Sequence, residues 1–429
     1  MTALCVLYPP KMTETELLMT FTAFAVAAVI VLSAVLGVYL LQRQIAAVAA
    51  RRETPPAAFA GAVTLEEHHR AADYTIAKAR LSIVQTIFEA VLSALWILGG
   101  LSLLYSLVAA VTAPGWARSV AFVLAFGVIS WALALPVKIA RVFRLESGFG
   151  FNRVTPRLFV KDEFEEAVLE LVIATPLLYA LFALLDWAPH SWHLFAFAGF
   201  IAFTVAMMVV YPTLIAPLFN RFTPLADAAQ KARLEALLAK CGFEAKGLFV
   251  MDASKRSTHA NAYFSGFGRA KRIVFFDTLL EKHSTEEIEA ILAHELGHYK
   301  FGHVRQMIAQ SAIVALSGFF ALHWAFDGGA AAWLGLPGHP GVVVVAVLLA
   351  GEPVVHLLSP VLAWRSRRAE FEADAFARSI CGEAPMVTAL MRLARDNLST
   401  LTPDRLYAAF YYSHPPVPER VAVLRGQGE

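Results

Sequence analysis

Apolar residues in this chain come in long blocks separated by polar ones. Seven apolar runs, near 17–41, 83–111, 119–139, 167–186, 192–216, 305–326 and 341–364, are long enough to cross the ~30 Å hydrocarbon core of a bilayer as helices. A soluble protein would have to bury every one of them. Between the fifth and sixth runs the pattern changes. Ala226 to Cys241 reads as a helix ended by Gly242, and Gly247–Met251, Ala260–Phe264 and Arg272–Phe276 read as short strands. Ser284 with Glu287 reads as a capping box opening a further helix, whose apolar face is Ile288, Ile291, Leu292 and Leu296. The expected fold is therefore mainly α: a polytopic membrane protein with seven transmembrane helices and a small α/β unit. It divides into 1–219 (spans one to five), 220–304 (the α/β unit), 305–364 (spans six and seven) and 365–429 (a C-terminal helical segment).

Composition supports a lipid setting. Apolar residues make up 58% of the chain and charged ones 16%, against about a quarter charged in soluble domains. A net charge of +2 gives no support for nucleic-acid binding. Cys5, Cys241 and Cys381 are too scattered for a disulfide framework or thiolate metal site and read as packing residues. The run Leu17–Leu41 is too long for the core of a cleaved signal peptide and reads as a span. Basic residues crowd the loops after the first span (Arg43, Arg51, Arg52, Arg70, Lys78, Arg80) and after the third (Lys138, Arg141, Arg144, Arg153, Arg157, Lys161), which places those loops in the cytoplasm and the N-terminus outside. The polar block and the tail from Arg365 then share the cytoplasmic side. The ending Arg425-Gly-Gln-Gly-Glu429 carries no retrieval signal, which favours a bacterial inner membrane over the endoplasmic reticulum.

The candidate chemistry lies on the helix that begins at Ser284. His294-Glu295-Leu-Gly-His298 puts two imidazoles four residues apart, about 40° around a helix, where both reach one metal ion. Glu295 follows the first histidine and is placed to take a proton from water beside the metal. This is the HExxH arrangement of zinc hydrolases. His303 falls about 180° around the helix from His294, and His259, His303 and His356 read as residues other than ligands. A catalytic zinc needs a third protein ligand and an open position. After the seventh span, Glu370 and Asp374 share a helix face, and Glu372 is about 200° from Glu370, so only one of the two glutamates can face the metal. Geometry alone leaves that choice open.

Taken together, His294-Glu-Leu-Gly-His298, Ser366-Arg-Arg-Ala-Glu370-Phe-Glu-Ala-Asp374 and the seven spans resemble the type I CAAX prenyl proteases, integral-membrane zinc metalloproteases. Further matching stretches are Gly148–Asn152 with Lys161-Asp162, Ile215–Pro224, Asn261–Phe267, Lys271–Leu279 and Tyr412–Pro416 with Glu419-Arg420. The resemblance implies one Zn2+ per chain, with Glu370 as third ligand, Asp374 as hydrogen-bond partner of a ligand histidine and Glu295 as general base. It also implies that Asn261-Ala262-Tyr263 forms the edge strand on which substrate backbone lies, and that His414 and Arg420 hydrogen-bond substrate or the developing oxyanion.

The expected activity is a membrane-embedded zinc endopeptidase cutting near the C-terminus of a protein or peptide, and the resemblance implies a prenylated CAAX tail as the substrate class. The alternatives are a membrane-protein quality-control metalloprotease, or a seven-span transporter with a structural metal. Glu89, Glu352 and His356 lie within spans, where they are costly facing lipid. They should face a protein interior or water: they either line the chamber enclosed by seven helices that the resemblance implies, or join helices by hydrogen bonds.

Overall fold

The computed structural model describes residues 13–59, 61–243, 247–265 and 272–427; Cys5, Gly266, Phe267, Lys271, Gly428 and Glu429 are outside the described residues. Helix α1, Glu14–Ala50, is the first span. The second is α2, Leu65–Leu95, carried through a π-helical turn at Trp96–Gly100 into α3, Leu101–Val111. Helices α4, Trp116–Ala140, and α5, Pro156–Trp187, supply the third and fourth. The fifth is α6, Trp192–Val210, which continues through Tyr211–Ile215 into α7, Ala216–Phe219. All seven apolar runs are helices long and apolar enough to cross a membrane.

Several helices overrun their apolar run at one end. Helix α2 begins at Leu65 rather than near 83, because the Thr64–Glu67 capping box starts it early. Helix α5 begins at Pro156 rather than near 167, with the Thr155 hydroxyl accepting from Leu158 N. Much of the basic "loop" after the first span is thus helix, its charges carried beyond the apolar section.

The polar block forms a four-stranded sheet. Strand β1, Phe222–Pro224, is absent from the sequence reading, being three residues long. Helix α8, Ala228–Lys240, follows, and it starts two residues later than expected because the Asp227 carboxylate caps Ala229 N and Gln230 N. Strands β2, Leu248–Met251, β3, Ala262–Ser265, and β4, Arg272–Phe276, complete the sheet. The order is β1-β2-β4-β3, parallel between β2 and β4 and antiparallel elsewhere, which leaves β3 at an edge. Short helix α9, Asp277–Lys282, leads to α10, Thr285–Lys300. Then come α11, His303–Asp327, α12, Ala330–Trp333, and α13, Pro340–Cys381, a single helix that includes the seventh span. Helices α14, Glu383–Asp396, α15, Arg405–Tyr411, and α16, Val417–Leu424, close the chain.

Two hydrophobic cores hold the molecule. One gathers Leu234, Ile273, Phe275, Ile288, Leu292, Leu296, Ala377, Leu390 and Val421 between the sheet, α10 and the C-terminal helices. Full burial of each large side chain there contributes about 1.5–3 kcal/mol. The other gathers Leu101, Phe122, Phe182, Trp192, Val342 and Val345 in the halves of the spans far from the sheet. Away from that core many apolar side chains on the spans stay open, Val172 at 65% and Leu348 at 66%.

Beside the second core, α2 and α4 line a cavity of about 530 Å³ with Gln85, Glu89, Ser130, Lys138 and, just past α4, Arg141. Glu89 thus faces a cavity and accepts from Gln85 Nε2 at 2.8 Å. His356 instead ties helices together, 2.8 Å from Ser33 Oγ and 3.0 Å from Tyr411 OH. Glu352, one turn before it, stays exposed. Cys241 and Cys381 are free and pack against the first core.

Candidate metal centre

Helix α10 starts as its sequence predicts. Ser284 Oγ accepts from Glu287 N at 3.3 Å, and Glu287 Oε2 accepts from Ser284 N at 2.8 Å. Its apolar face is buried in the first core, which turns His294, Glu295 and His298 towards the start of the C-terminal segment. Gly297 sets the approach: a Cβ there would lie 2.9 Å from Ala373 Cα and 3.2 Å from Ala373 O. Helices α10 and α13 therefore meet almost backbone to backbone, between Glu370 and Asp374 on one side and the two histidines on the other.

The contact brings the donor atoms of three residues together. His294 Nε2 and His298 Nε2 are 3.1 Å apart, His294 Nε2 is 3.4 Å from Glu370 Oε2, and His298 Nε2 is 3.2 Å from Glu370 Oε1. Among the described residues these three form a group able to hold a metal ion. A tetrahedral ion with bonds near 2.0–2.1 Å has its ligands about 3.3 Å from one another, so the donor set fits zinc. The buried Glu370 Oε2 accepts no hydrogen bond, as suits an atom reserved for a metal. The choice between the two glutamates thus has a geometric answer: Glu370 faces the histidines.

The far nitrogens of both histidines are also engaged. His294 Nδ1 lies 2.8 Å from Asp374 Oδ1. Burial pushes the His294 pKa down, but Asp374 and Glu370 outweigh it and hold it up to about 9 without a metal. His298 Nδ1 lies 3.0 Å from His303 Nδ1, and His303 Nε2 lies 3.1 Å from Glu372 Oε2. The helical arithmetic that sends His303 away fails because α10 does not continue. Gly302 adopts φ +69°, and the chain turns there into α11. A glycine just past a helix end is a stop signal, and Lys300-Phe-Gly-His303 carries it. His303 therefore backs a ligand, and Glu372, turned away from the metal, backs His303.

Arg420, on α16, is 7% exposed and grips Asp374 with two bonds, Nε to Oδ2 at 2.7 Å and Nη2 to Oδ1 at 2.6 Å. Its Nη1 faces Glu370 Oε2 at 3.5 Å. His414 is far more open, with Nε2 3.3 Å from Glu370 Oε1 and Nδ1 2.9 Å from Ser413 Oγ.

Glu295, His294, His414 and Arg420 share a cavity of about 350 Å³ with Asn261, Ala262 and apolar side chains of α14 such as Met386 and Leu390. Burial holds the Glu295 carboxyl above the usual glutamate range. Asn261 precedes edge strand β3, and its Oδ1 accepts from Ala262 N at 2.8 Å. The Tyr263 side chain points to the opposite face of the sheet, against Phe276 and Met251. Asn261 and Ala262 line the cavity, whereas Tyr263 turns its side chain to the other face and its backbone towards Val274 of β4, away from the free edge.

Comparison with known proteins agrees with this arrangement along the chain. Residues 44–221 match the family described as "CAAX prenyl protease N-terminal, five membrane helices", and residues 224–427 match peptidase family M48. The chain is 37% identical to the CAAX prenyl protease 1 homolog of Oryza sativa subsp. japonica over 308 residues, covering 70% of this chain and 71% of that one. It is 33% identical to CAAX prenyl protease 1 of Saccharomyces cerevisiae over 390 residues, covering 84% and 86%. The crystal structure of Ste24p from S. mikatae superposes with a TM-score of 0.88 at 28% identity, covering 94% of this chain and 98% of the other.

Proposed function

This chain belongs to the CAAX prenyl protease family of M48 peptidases, and on that footing we propose that it is a zinc endopeptidase that trims the C-terminal tails of prenylated proteins or peptides. It is a multi-pass membrane metalloprotease. The observation carrying the finer reading is the cluster of His294, His298 and Glu370, with the two Nε2 atoms 3.1 Å apart and each 3.2–3.4 Å from a Glu370 oxygen, beside the cavity that also holds Glu295 and the outer edge of β3.

In this reading His294, His298 and Glu370 hold one zinc ion. When bound, that ion supplies Lewis acidity to the scissile carbonyl and to the attacking water. Glu295 takes the water's proton on its carboxylate and later delivers it to the leaving amine. Asp374 fixes the orientation of His294 through Nδ1, and Arg420 holds Asp374 in place. With two of its donors committed to Asp374, Arg420 offers Nη1 towards the reaction, and the open His414 offers Nε2 to developing negative charge on the carbonyl oxygen. Ala262 and Phe264 present the edge to which substrate backbone adds. Residues 1–219, 220–304, 305–364 and 365–429 remain our division of the chain, with the site on the cytoplasmic side. A bacterial inner membrane gains no support from relatives found in yeast, plants and animals. Neither alternative is favoured: the likeness to Ste24p covers 94% of the chain and 98% of the other, and a transporter has no use for Glu295 beside the ligands.

The test uses purified full-length protein in detergent or liposomes. Metal analysis should find one zinc per chain. A peptide ending in a farnesylated CAAX motif should be cut after the cysteine, and Glu295→Gln should keep the zinc while losing at least about 10²-fold in kcat. Normal turnover by that variant would exclude the mechanism, and equal turnover of the unprenylated peptide would exclude prenyl selectivity.

A further inference from the structure

The last carbonyls of a helix have no partner within it. Helix α15 ends at Tyr411, and a side chain of another helix serves its end. Arg367, on α13, directs Nη1 there and donates to Tyr412 O at 2.9 Å, Ala408 O at 3.1 Å and Ala409 O at 3.2 Å. Two N–H groups are thus shared among three carbonyls. A cation is favoured at a helix C-terminus, and a charged donor makes the stronger kind of hydrogen bond.

His414 lies two residues beyond Tyr412. Its side chain is 63% exposed, so packing does not hold it. The bond between Nδ1 and Ser413 Oγ is local to the same loop. The aim of the imidazole therefore depends on the backbone on either side. Downstream, Pro415 and Pro416 are buried and lead into α16. Upstream, the hydroxyls of Tyr411 and Tyr412 are tied to His356 and Gln44, but those bonds hold side chains. Arg367 holds the main chain.

Around the axis of α13, Arg367 stands about 60° from Glu370 and about 20° from Asp374. The face that supplies the third ligand thus also supplies the clamp. Arg378, about 20° from Arg367 on the same face, repeats the device at the end of α16, with Nη1 donating to Leu424 O at 2.8 Å. There other contacts suffice: Val421 and Leu424 are buried in the first core, and Arg420 grips Asp374. In α15 only Ala408 is buried, so its end relies more on the clamp. Arg368, one residue on, stands exposed over the Trp364 ring.

We infer that Arg367 is a positioning residue: by pinning the Tyr412 carbonyl it sets where His414 Nε2 stands relative to Glu370. This rests on the protease reading above, in which His414 faces negative charge developing on the carbonyl oxygen. Arg367 is not among the side chains that line the cavity, and it takes no part in the chemistry. Its loss should slow the chemical step through His414 and leave the three ligands in place.

The experiment uses the full-length protein in liposomes and has two arms. Hydrogen exchange read by mass spectrometry should speed up in segment 405–416 of Arg367→Gln and stay level in 417–427. It should stay level throughout in Arg368→Gln, which removes the same charge one residue away. In the second arm a farnesylated CAAX peptide is the substrate. Losing His414 as a donor should cost about 10²–10³ in kcat. Arg367→Gln should cost about tenfold or more in kcat with KM little changed and one metal per chain retained. Added to His414→Ala, it should cost nothing further. Arg367→Lys, which keeps a cation able to donate to carbonyls, should fall between wild type and Arg367→Gln. Unchanged exchange or wild-type kcat in Arg367→Gln overturns the inference. Losses that multiply when the two substitutions are combined also overturn it, because they mark a role independent of His414. If the glutamine variant does not fold, the same cycle with Arg367→Lys decides. Wild-type turnover by His414→Ala overturns the role of His414 and the inference with it. A wild type that cuts no peptide sinks the protease reading instead, and the exchange arm still decides whether Arg367 holds the loop.

Discussion

Gly297→Ala tests whether the close contact of α10 and α13 builds the metal site. The added Cβ would stand 2.9 Å from Ala373 Cα, where carbon atoms prefer about 3.5–4.0 Å. One helix must recede by about 0.6 Å or more to reach that separation. Ala373 lies between Glu370 and Asp374 on α13, so recession draws the third ligand away from both histidines. Edges now at 3.2 and 3.4 Å would open towards 4 Å, whereas metal bonds tolerate errors near ±0.2 Å. Overpacking costs about 1–3 kcal/mol, and replacing a helical glycine by alanine returns up to about 1 kcal/mol, so the fold should survive with a small loss. Metal affinity should fall about 10–100-fold, equivalent to about 1.4–2.8 kcal/mol. Chelator competition on detergent-solubilised protein measures that affinity, and thermal unfolding monitors the fold. Adding Ala373→Gly removes the Cβ contact at 3.2 Å and should restore part of the affinity. A Gly297→Ala protein with wild-type affinity and turnover would show that the helix contact does not set ligand geometry.

Other outcomes follow from the same geometry. Glu370→Ala should lose the metal outright, whereas Glu372→Ala, which acts through His303, should keep one metal per chain with affinity reduced about tenfold, read by metal analysis and chelator competition. Asp374→Ala leaves the Arg420 guanidinium buried without its carboxylate and should cost about 3–5 kcal/mol, seen as a lowered melting temperature. Metal uptake by the apoprotein should depend on pH. His294 carries its proton up to about 9 and must release it to bind, so affinity should rise about tenfold per unit towards pH 9 and level off above it. An affinity constant from pH 6 to 9 would contradict that protonation.

Much of this molecule was legible in its sequence because the signals are local. Apolar length marks the spans, and the Ser284–Glu287 box and the 3.6-residue period mark α10. Two histidines four apart are joined by the helix itself. What was hidden depends on contacts between distant segments. Glu370 and Glu372 are equivalent by helical arithmetic, and only the docking of α13 on Gly297 separates them. His303 was misplaced because an unbroken helix was extended through Gly302, although the glycine announces the stop. The role of Arg367 gives no sequence signal: its guanidinium matters because the fold sets it against Tyr412, 45 residues away. Strand β1 is too short for any period to show.

Helix α13 spans 42 residues without a break, about 63 Å, roughly twice the hydrocarbon thickness. Its apolar run closes near Trp364, and Glu370 follows six residues later, about 9 Å further along the axis. The metal site is therefore held at headgroup height by a rigid strut anchored in lipid, with Pro353 and Pro360 inside the embedded part. Bilayer thickness then becomes a control variable. A thicker membrane draws the end of the strut towards the headgroups, a thinner one tilts it or lifts it clear, and each ångström of mismatch costs a fraction of a kcal/mol. Peptide turnover in liposomes of graded acyl length should pass through an optimum, whereas a catalytic unit free of the bilayer would give a flat profile.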